Sequence, residues 1–352
     1  MIFEKYLQLL TKDSIRLELY IMNMINWLKT AAAQHKPMPI LSFPGVQLTG
    51  ISVSDLVRDA MLQAKCMKAV ADKWDTLASV SLMDLSVEAE AFGSPVRFSD
   101  AEVPTVSGAI VTDEDELAKL QIPSVGAGRT GIYVETIKKA KKLITDRPVF
   151  AGILGPYSLA GRLMDLTEIM MLCYDEPELV HGVLEKVTQF QIEYGKAMRE
   201  TGADGIIMAE PAAGILSPPM MGEFSTPYVK RIIEAVETEN CMFIYHNCGN
   251  STLTLTKQIL DTGAKAFHFG NAIDLSEMLK LIPGDKLVMG NVDPAGQFRT
   301  GTPLSVREAT IAVLEKCSKA PNFIISSGCD IPPASPIENI DAFFEAVKDH
   351  YN

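Results

Sequence analysis

Short apolar, β-branched runs alternate along this chain with longer stretches in which apolar residues recur every three or four positions. That alternation predicts βαβ units around a parallel sheet. The strand-like runs are 38–43 (MPILSF), 77–82 (LASVSL), 148–154 (PVFAGIL), 204–209 (DGIIMA), 242–246 (MFIYH), 264–269 (AKAFHF), 286–290 (KLVMG) and 322–327 (NFIISS). Helical periodicity is clearest over 176–200, 225–238 and 337–350. Eight strands with intervening helices predict an α/β fold of the (β/α)₈ TIM-barrel type. The connection from the second strand to the third is too long for one crossover. It reads as an insertion holding a hairpin (VRFSDAEVPTVSGAIV, 96–111) and a helix near 131–146. The first thirty residues read as a helical cap before strand one, within an N-terminal extension over 1–36. No internal repeat, low-complexity tract or linker interrupts the pattern, so 1–352 reads as a single barrel domain.

Composition narrows the function classes. Of 352 residues, 47% are hydrophobic and 22% charged, an ordinary globular balance. The net charge of −12 disfavours nucleic-acid binding, because an acidic surface repels phosphate backbones. No apolar run approaches the roughly 18 residues of a membrane span. Glu4, Lys5, Lys12, Asp13, Arg16 and Glu18 interrupt the apolar residues at the N-terminus, which argues against a signal peptide. The six cysteines are scattered, with no CxxC pair, so reduced thiols in a cytoplasmic protein are expected.

In barrels of this kind, chemistry sits at the C-terminal ends of the strands. The polar residues there are Asp84, Glu210, His246, Cys248, His268, Asn291, Asp293, Cys329 and Asp330. His246-Asn247-Cys248 is a His-x-Cys step where a strand gives way to a loop. Alternate residues of an extended chain point the same way, so both side chains can reach one ion. Cys329, at the last strand end, can meet them across the barrel mouth. One imidazole and two thiolates suit Zn²⁺. Any one of the three alone reads more simply as a core residue; it is the set, on one face, that points to a metal. Cys66, Cys173, Cys241 and Cys317 have no such partners and read as inert core thiols. Glu210 and His268 are candidates for a fourth ligand, and with Asp84 for catalytic roles. Gly126–Gly131 matches G-x-G-x-x-G, but Pro123 precedes it rather than a strand, so it reads as a flexible loop and not a dinucleotide site.

The motifs GPYSLAG (155–161), HNCG (246–249), GNVDP (290–294) and SSGCDIPP (326–333) resemble the uroporphyrinogen-decarboxylase superfamily from about residue 38 to the C-terminus. The His-x-Cys with a distant Cys is similar to its zinc branch, the methylcobamide:thiol (coenzyme M-type) methyltransferases, and to cobalamin-independent methionine synthase. The resemblance implies a (β/α)₈ barrel with zinc on His246, Cys248 and Cys329. It also implies methyl transfer from a methyl-cobamide, carried by a corrinoid protein in trans, to a small-molecule thiol. Decarboxylases of the superfamily carry an Arg-rich Gln-Ala-Gly-Arg segment after strand one. Here that place reads FPGVQLTG (43–50), without the cations that a polycarboxylate macrocycle needs. Asp84, in LMDLSVEAEAFG, nevertheless resembles the decarboxylases' catalytic Asp in position. The alternatives are therefore a carboxy-lyase acting on a tetrapyrrole, and a non-catalytic corrinoid- or tetrapyrrole-binding barrel. Near strand six, zinc relatives tend to have an acidic residue that can reach the metal; this chain has His268-Phe269-Gly270.

Overall fold

The computed structural model describes residues 22–352. Seven parallel strands curl in the order β1 (Ser79–Val80), β4 (Val149–Leu154), β5 (Gly205–Ala209), β6 (Met242–Asn247), β7 (Ala266–Phe269), β8 (Leu287–Val292) and β9 (Phe323–Ser327). A separate antiparallel pair, β2 (Val96–Arg97) and β3 (Thr105–Val106), is the hairpin expected in the insertion. Helices connect the parallel strands, the longest being Pro177–Glu200, and the helices expected near 131–146, 225–238 and 337–350 have counterparts at Thr130–Leu143, Thr226–Val236 and Ile337–Tyr351.

The expected first strand, 38–43, is a correction. It forms no ladder strand, and it lies between β9 and β1. Met38 N donates to Ile325 O (3.0 Å) and Leu77 N donates to Pro37 O (2.8 Å). The reason is local chemistry: Pro37 and Pro39 have no N–H to offer a neighbouring strand. Ile40 N, the next available donor, goes to the Ser327 hydroxyl (3.1 Å) instead of a carbonyl. The barrel is thus made of seven paired strands and one proline-interrupted segment.

Two apolar layers hold it. The larger fills the space between sheet and helices. The smaller fills the barrel interior, with Phe150, Ile207, Ile244, Leu287, Met289 and Ile324 among its members. The short helix Met24–Thr30 adds Met24 and Trp27 to that inner layer, Trp27 lying 5.7 Å from the Phe150 ring. Of the cap expected over the first thirty residues, 1–21 lie outside the described residues. No helix among the described residues is long and apolar enough to cross a membrane.

Candidate metal centre

The ladder register sets this site. His246 on β6 pairs with His268 on β7, so two interior imidazoles stand side by side at the upper end of the barrel. Cys248 follows two residues after His246, and Cys329 follows β9. One ligand atom from each of His246, Cys248 and Cys329 falls within 4.8 Å of the others. Cys329 Sγ is 3.6 Å from His246 Nε2.

Hydrogen bonds fix which imidazole nitrogen faces the sulfurs. The Ser326 hydroxyl donates its single proton to Met38 O (2.7 Å). Toward His268 Nε2, 2.7 Å away, Ser326 Oγ therefore only accepts, so His268 carries its proton on Nε2. Burial, with the His246 ring beside it, pushes His268 well below the ordinary imidazole range, so the ring is neutral and its Nδ1 bears a lone pair. His246 Nδ1, at 2.8 Å, donates to that lone pair. In the tautomer that donates from Nδ1, the neutral His246 ring presents its Nε2 lone pair toward Cys329. A fixed Nε2 lone pair beside two thiols is the donor set a tetrahedral thiophilic ion requires.

The two thiols are coupled. Their mutual hydrogen bond lowers Cys248 below the ordinary thiol value and, with burial, pushes Cys329 up to about 12. Burial raises the other four as well, Cys66 and Cys241 to about 12 and Cys173 and Cys317 to about 11. Asn247, between the ligands, holds the turn: its Oδ1 accepts from Gly249 N (3.0 Å) and Thr252 Oγ1 (2.8 Å). Gly249 has no room for a side chain, because its backbone lies against that of Gly214.

Glu210 and Asp84 lie elsewhere at the strand ends, each engaged by protein groups. Glu210 is fully buried and accepts from Tyr157 N (2.8 Å), Ser158 N (3.0 Å) and Ser225 Oγ (3.0 Å). It thereby caps the N-terminus of helix Pro156–Met164, whose first residue, Pro156, has no N–H of its own. Any Cβ at Gly155 would overlap the Glu210 carboxylate, which explains the glycine that opens GPYSLAG. Asp84 Oδ2 is held by Arg129 and by Tyr133 Oη (2.7 Å), and its Oδ1 by Ser86 N (3.1 Å) and Oγ (2.6 Å). Asn291 and Asp293 bind backbone groups of neighbouring turns. Asp330 lies beside the centre, its buried carboxyl raised well above its ordinary value by burial and by Cys329.

Sequence reading missed Arg129, Tyr133, Arg162 and Ser326. Arg129 sits in the Gly126–Gly131 loop, whose glycines adopt positive φ at 126 and 128. That stretch is a tight turn delivering a buried guanidinium to Asp84, where a flexible loop was expected.

The family profile of uroporphyrinogen decarboxylase matches residues 39–350. The chain belongs to the uroporphyrinogen decarboxylase family. Within this family its relatives include both chemistries. The methylcobamide:CoM methyltransferase MtbA of Methanosarcina acetivorans is 29% identical over 272 residues, covering 76% of this chain and 78% of that protein. The same-named protein of Methanosarcina mazei is 30% identical, with the same coverage. A uroporphyrinogen decarboxylase of Desulfotalea psychrophila is 28% identical, covering 81% of this chain and 85% of that one. A solved methyltransferase from Methanosarcina mazei superposes with a TM-score of 0.81 at 23% identity, over 92% of this chain and 99% of that one, which supports the fold. The family member described here is an enzyme of α/β-barrel type, with a His/Cys/Cys group able to hold a metal.

Proposed function

We propose that this protein is a zinc-dependent methyltransferase that moves a methyl group from a methyl-corrinoid protein to a thiol. The observation that carries this reading is the convergence of His246 with the sulfurs of Cys248 and Cys329. The methyltransferase relatives support it. His246, Cys248 and Cys329 would hold the ion. When bound, zinc would supply Lewis acidity that lowers the pKa of an acceptor thiol, making a thiolate available at neutral pH.

The chain's own residues do the rest. His268, set by Ser326, holds the His246 ring and its tautomer. Asn247 keeps the two ligands of the His-x-Cys step in register. Glu210 and Asp84 anchor helix and loop around the mouth. The acceptor sulfur forms the new S–CH₃ bond; the Co–C bond breaks with its electron pair left on the corrinoid, and the thiol proton passes to solvent.

The test joins metal content to activity. Purified protein, kept reduced, is expected to carry about one zinc per chain, and to demethylate methylcobalamin when a thiol is added. Cys329→Ser should lose both metal and activity. Activity that survives in zinc-free protein, or decarboxylation of a tetrapyrrole acid, would replace this reading with the carboxy-lyase one. Binding of a corrinoid without turnover would leave a non-catalytic barrel.

A further inference from the structure

The hairpin β2–β3 is tied lightly to the rest of the barrel. Its ladder pairs only Val96 with Val106 and Arg97 with Thr105. A glycine stands on each flank. Gly93, which closes the helix Val87–Ala91, has φ +102°, and Gly108 has φ +75°. A side chain added at either would meet no atom within 4 Å among the described residues. Glycine turns there without steric penalty, so both ends of the hairpin are suited to act as hinges. Beyond Gly108 the chain is fastened again, Ile110 N donating to Leu163 O (2.7 Å).

The tip and second strand, residues 102–106, form part of the wall of a cavity of about 510 Å³. Met83, Leu85, Arg162 and Asp330 are among its other lining residues. Asp330 follows Cys329, so the cavity borders the proposed metal centre. Val103, at the tip, is apolar yet 38% exposed, leaving surface that a closer fit over the cavity would bury.

Phe98, just after β2, ties the hairpin down. Two guanidinium groups lie over its ring, with Arg58 Cζ at 3.9 Å and Arg129 Cζ at 4.9 Å from the centroid. Arg129 is a fixed post: it is buried and bonded to Asp84, to Glu90 Oε2 (2.6 Å) and to Ser86 Oγ (2.7 Å). Arg58 is exposed and donates to Ser54 O (3.0 Å). One backbone bond adds to the stack, Val53 N donating to Asp100 O (2.9 Å). Each cation–π contact is weak alone, so a fastening of this kind releases and re-forms readily.

We propose that the hairpin β2–β3 is a lid on this cavity, that it moves about Gly93 and Gly108, and that Phe98 on Arg129 and Arg58 is its latch. The latch sets how often the cavity opens to a molecule much larger than water. Because Arg129 also holds Asp84, the lid is fastened to the strand end of β1. The proposal concerns access to the barrel mouth and stands whichever group the centre transfers.

The test places a reporter under the lid. Leu85→Cys puts a thiol in the cavity wall, and its reaction with fluorescein maleimide is followed by peptide mass spectrometry, which reads the native cysteines separately. Adding Phe98→Ala is expected to speed labelling at position 85 by roughly tenfold, the scale of two lost cation–π contacts. Phe98→Tyr keeps an aromatic face and should stay within about twofold of the parent. Iodoacetamide, small enough to enter past a shut lid, should react at nearly the same rate in all three. Gly108→Asn accepts that φ but samples fewer others, so it should slow the maleimide. Cys66 and Cys241, buried in the core, should stay unlabelled throughout, which separates lid opening from unfolding. Equal maleimide rates in Phe98→Ala and its parent, or an equal gain for both reagents, would overturn the proposal. Hydrogen exchange of Phe98→Ala against wild type gives a second measure that does not need Leu85→Cys to fold. Exchange over 96–106 should rise about tenfold, with Gly205–Ala209 and Met242–Asn247 unchanged. No rise in the hairpin, or a rise shared by those strands, would make it a fixed wall and not a lid.

Discussion

His268→Leu probes the relay behind the metal centre. The substitution keeps a side chain of similar bulk and removes the acceptor for His246 Nδ1–H. Two losses follow. A neutral buried hydrogen bond is worth about 1 kcal/mol, and leaving the His246 donor unpaired in a dry site costs about 1–3 kcal/mol. Part of the second loss relaxes away if the ring rotates, but then Nε2 leaves its position opposite Cys329. A zinc dissociation constant raised roughly 10- to 100-fold is expected, the usual scale for an outer-shell partner of a ligating histidine. His268→Gln should recover most of this, since its amide can accept from His246 and donate to Ser326 Oγ.

Competition with a chromophoric chelator measures the affinity, and the visible spectrum of the Co²⁺-substituted protein reports the ligand set. The spectrum should show the same sulfur and nitrogen ligands in wild type and in His268→Leu. Ser326→Ala removes the acceptor that fixes the His268 proton, so it should weaken zinc less than His268→Leu. The double variant should be no worse than His268→Leu alone, because both changes break one chain of bonds. Zinc affinity within twofold of wild type in His268→Leu would refute the relay. Loss of a nitrogen ligand from the cobalt spectrum would make His268 a ligand instead of a positioning residue.

Three other outcomes follow from the same structure. Burial raises Glu88 from 4.5 to about 7; a raised acid stabilises the fold below about pH 4.5 and loses that contribution as pH rises through 7, so Glu88→Gln should match wild type at pH 4.5 and exceed it by about 3 kcal/mol at pH 8 in urea unfolding. A difference that does not grow with pH would contradict this. In metal-free protein at pH 7.5, iodoacetamide should label Cys248 first and leave Cys66 and Cys241, both near 12, unlabelled until unfolding, as read by peptide mass spectrometry. Cys66 labelled as fast as Cys248 would sink that ordering. Gly155→Ala must displace Glu210 from two helix N–H groups and should cost about 2–4 kcal/mol of unfolding free energy, whereas Gly284→Ala, in open space, should be near neutral.

The fold was legible where local chemistry and long-range pairing agree. Runs such as 242–245 and 323–325 are apolar on both faces, as strands covered by helices outside and side chains inside must be. Segment 38–43 has the same hydropathy, but Pro39 within it removes a ladder donor, and apolar content alone does not record that. His246, Cys248 and Cys329 stand out in the sequence because strand ends are few and the residue types unusual. The parts that aim them do not. Ser326 looks like any strand serine until the register brings it to His268, and Arg129 and Arg162 gain meaning only from what lies across the fold. Glu210 and Asp84 were visible as strand-end acids. Their engagement by a helix N-terminus and a buried guanidinium depends on three-dimensional neighbours that no spacing encodes.

Asp84 also bears on how one family can host two chemistries. A carboxylate that stabilises a protonated pyrrole needs free lone pairs facing the substrate. Here Arg129, Tyr133 and Ser86 occupy both oxygens, in a site from which solvent is excluded. The Arg129 charge neutralises the Asp84 carboxylate, so it has little field left to offer a cationic intermediate. The same strand end thus serves as a clamp between the loop at 84–90 and the turn at 126–131, Arg129 also reaching Glu90 Oε2 at 2.6 Å. With that acid locked, the groups that converge at the mouth to hold a cation are the sulfurs of Cys248 and Cys329 and the Nε2 of His246. Those groups suit the thiophilic metal of the proposed methyl transfer.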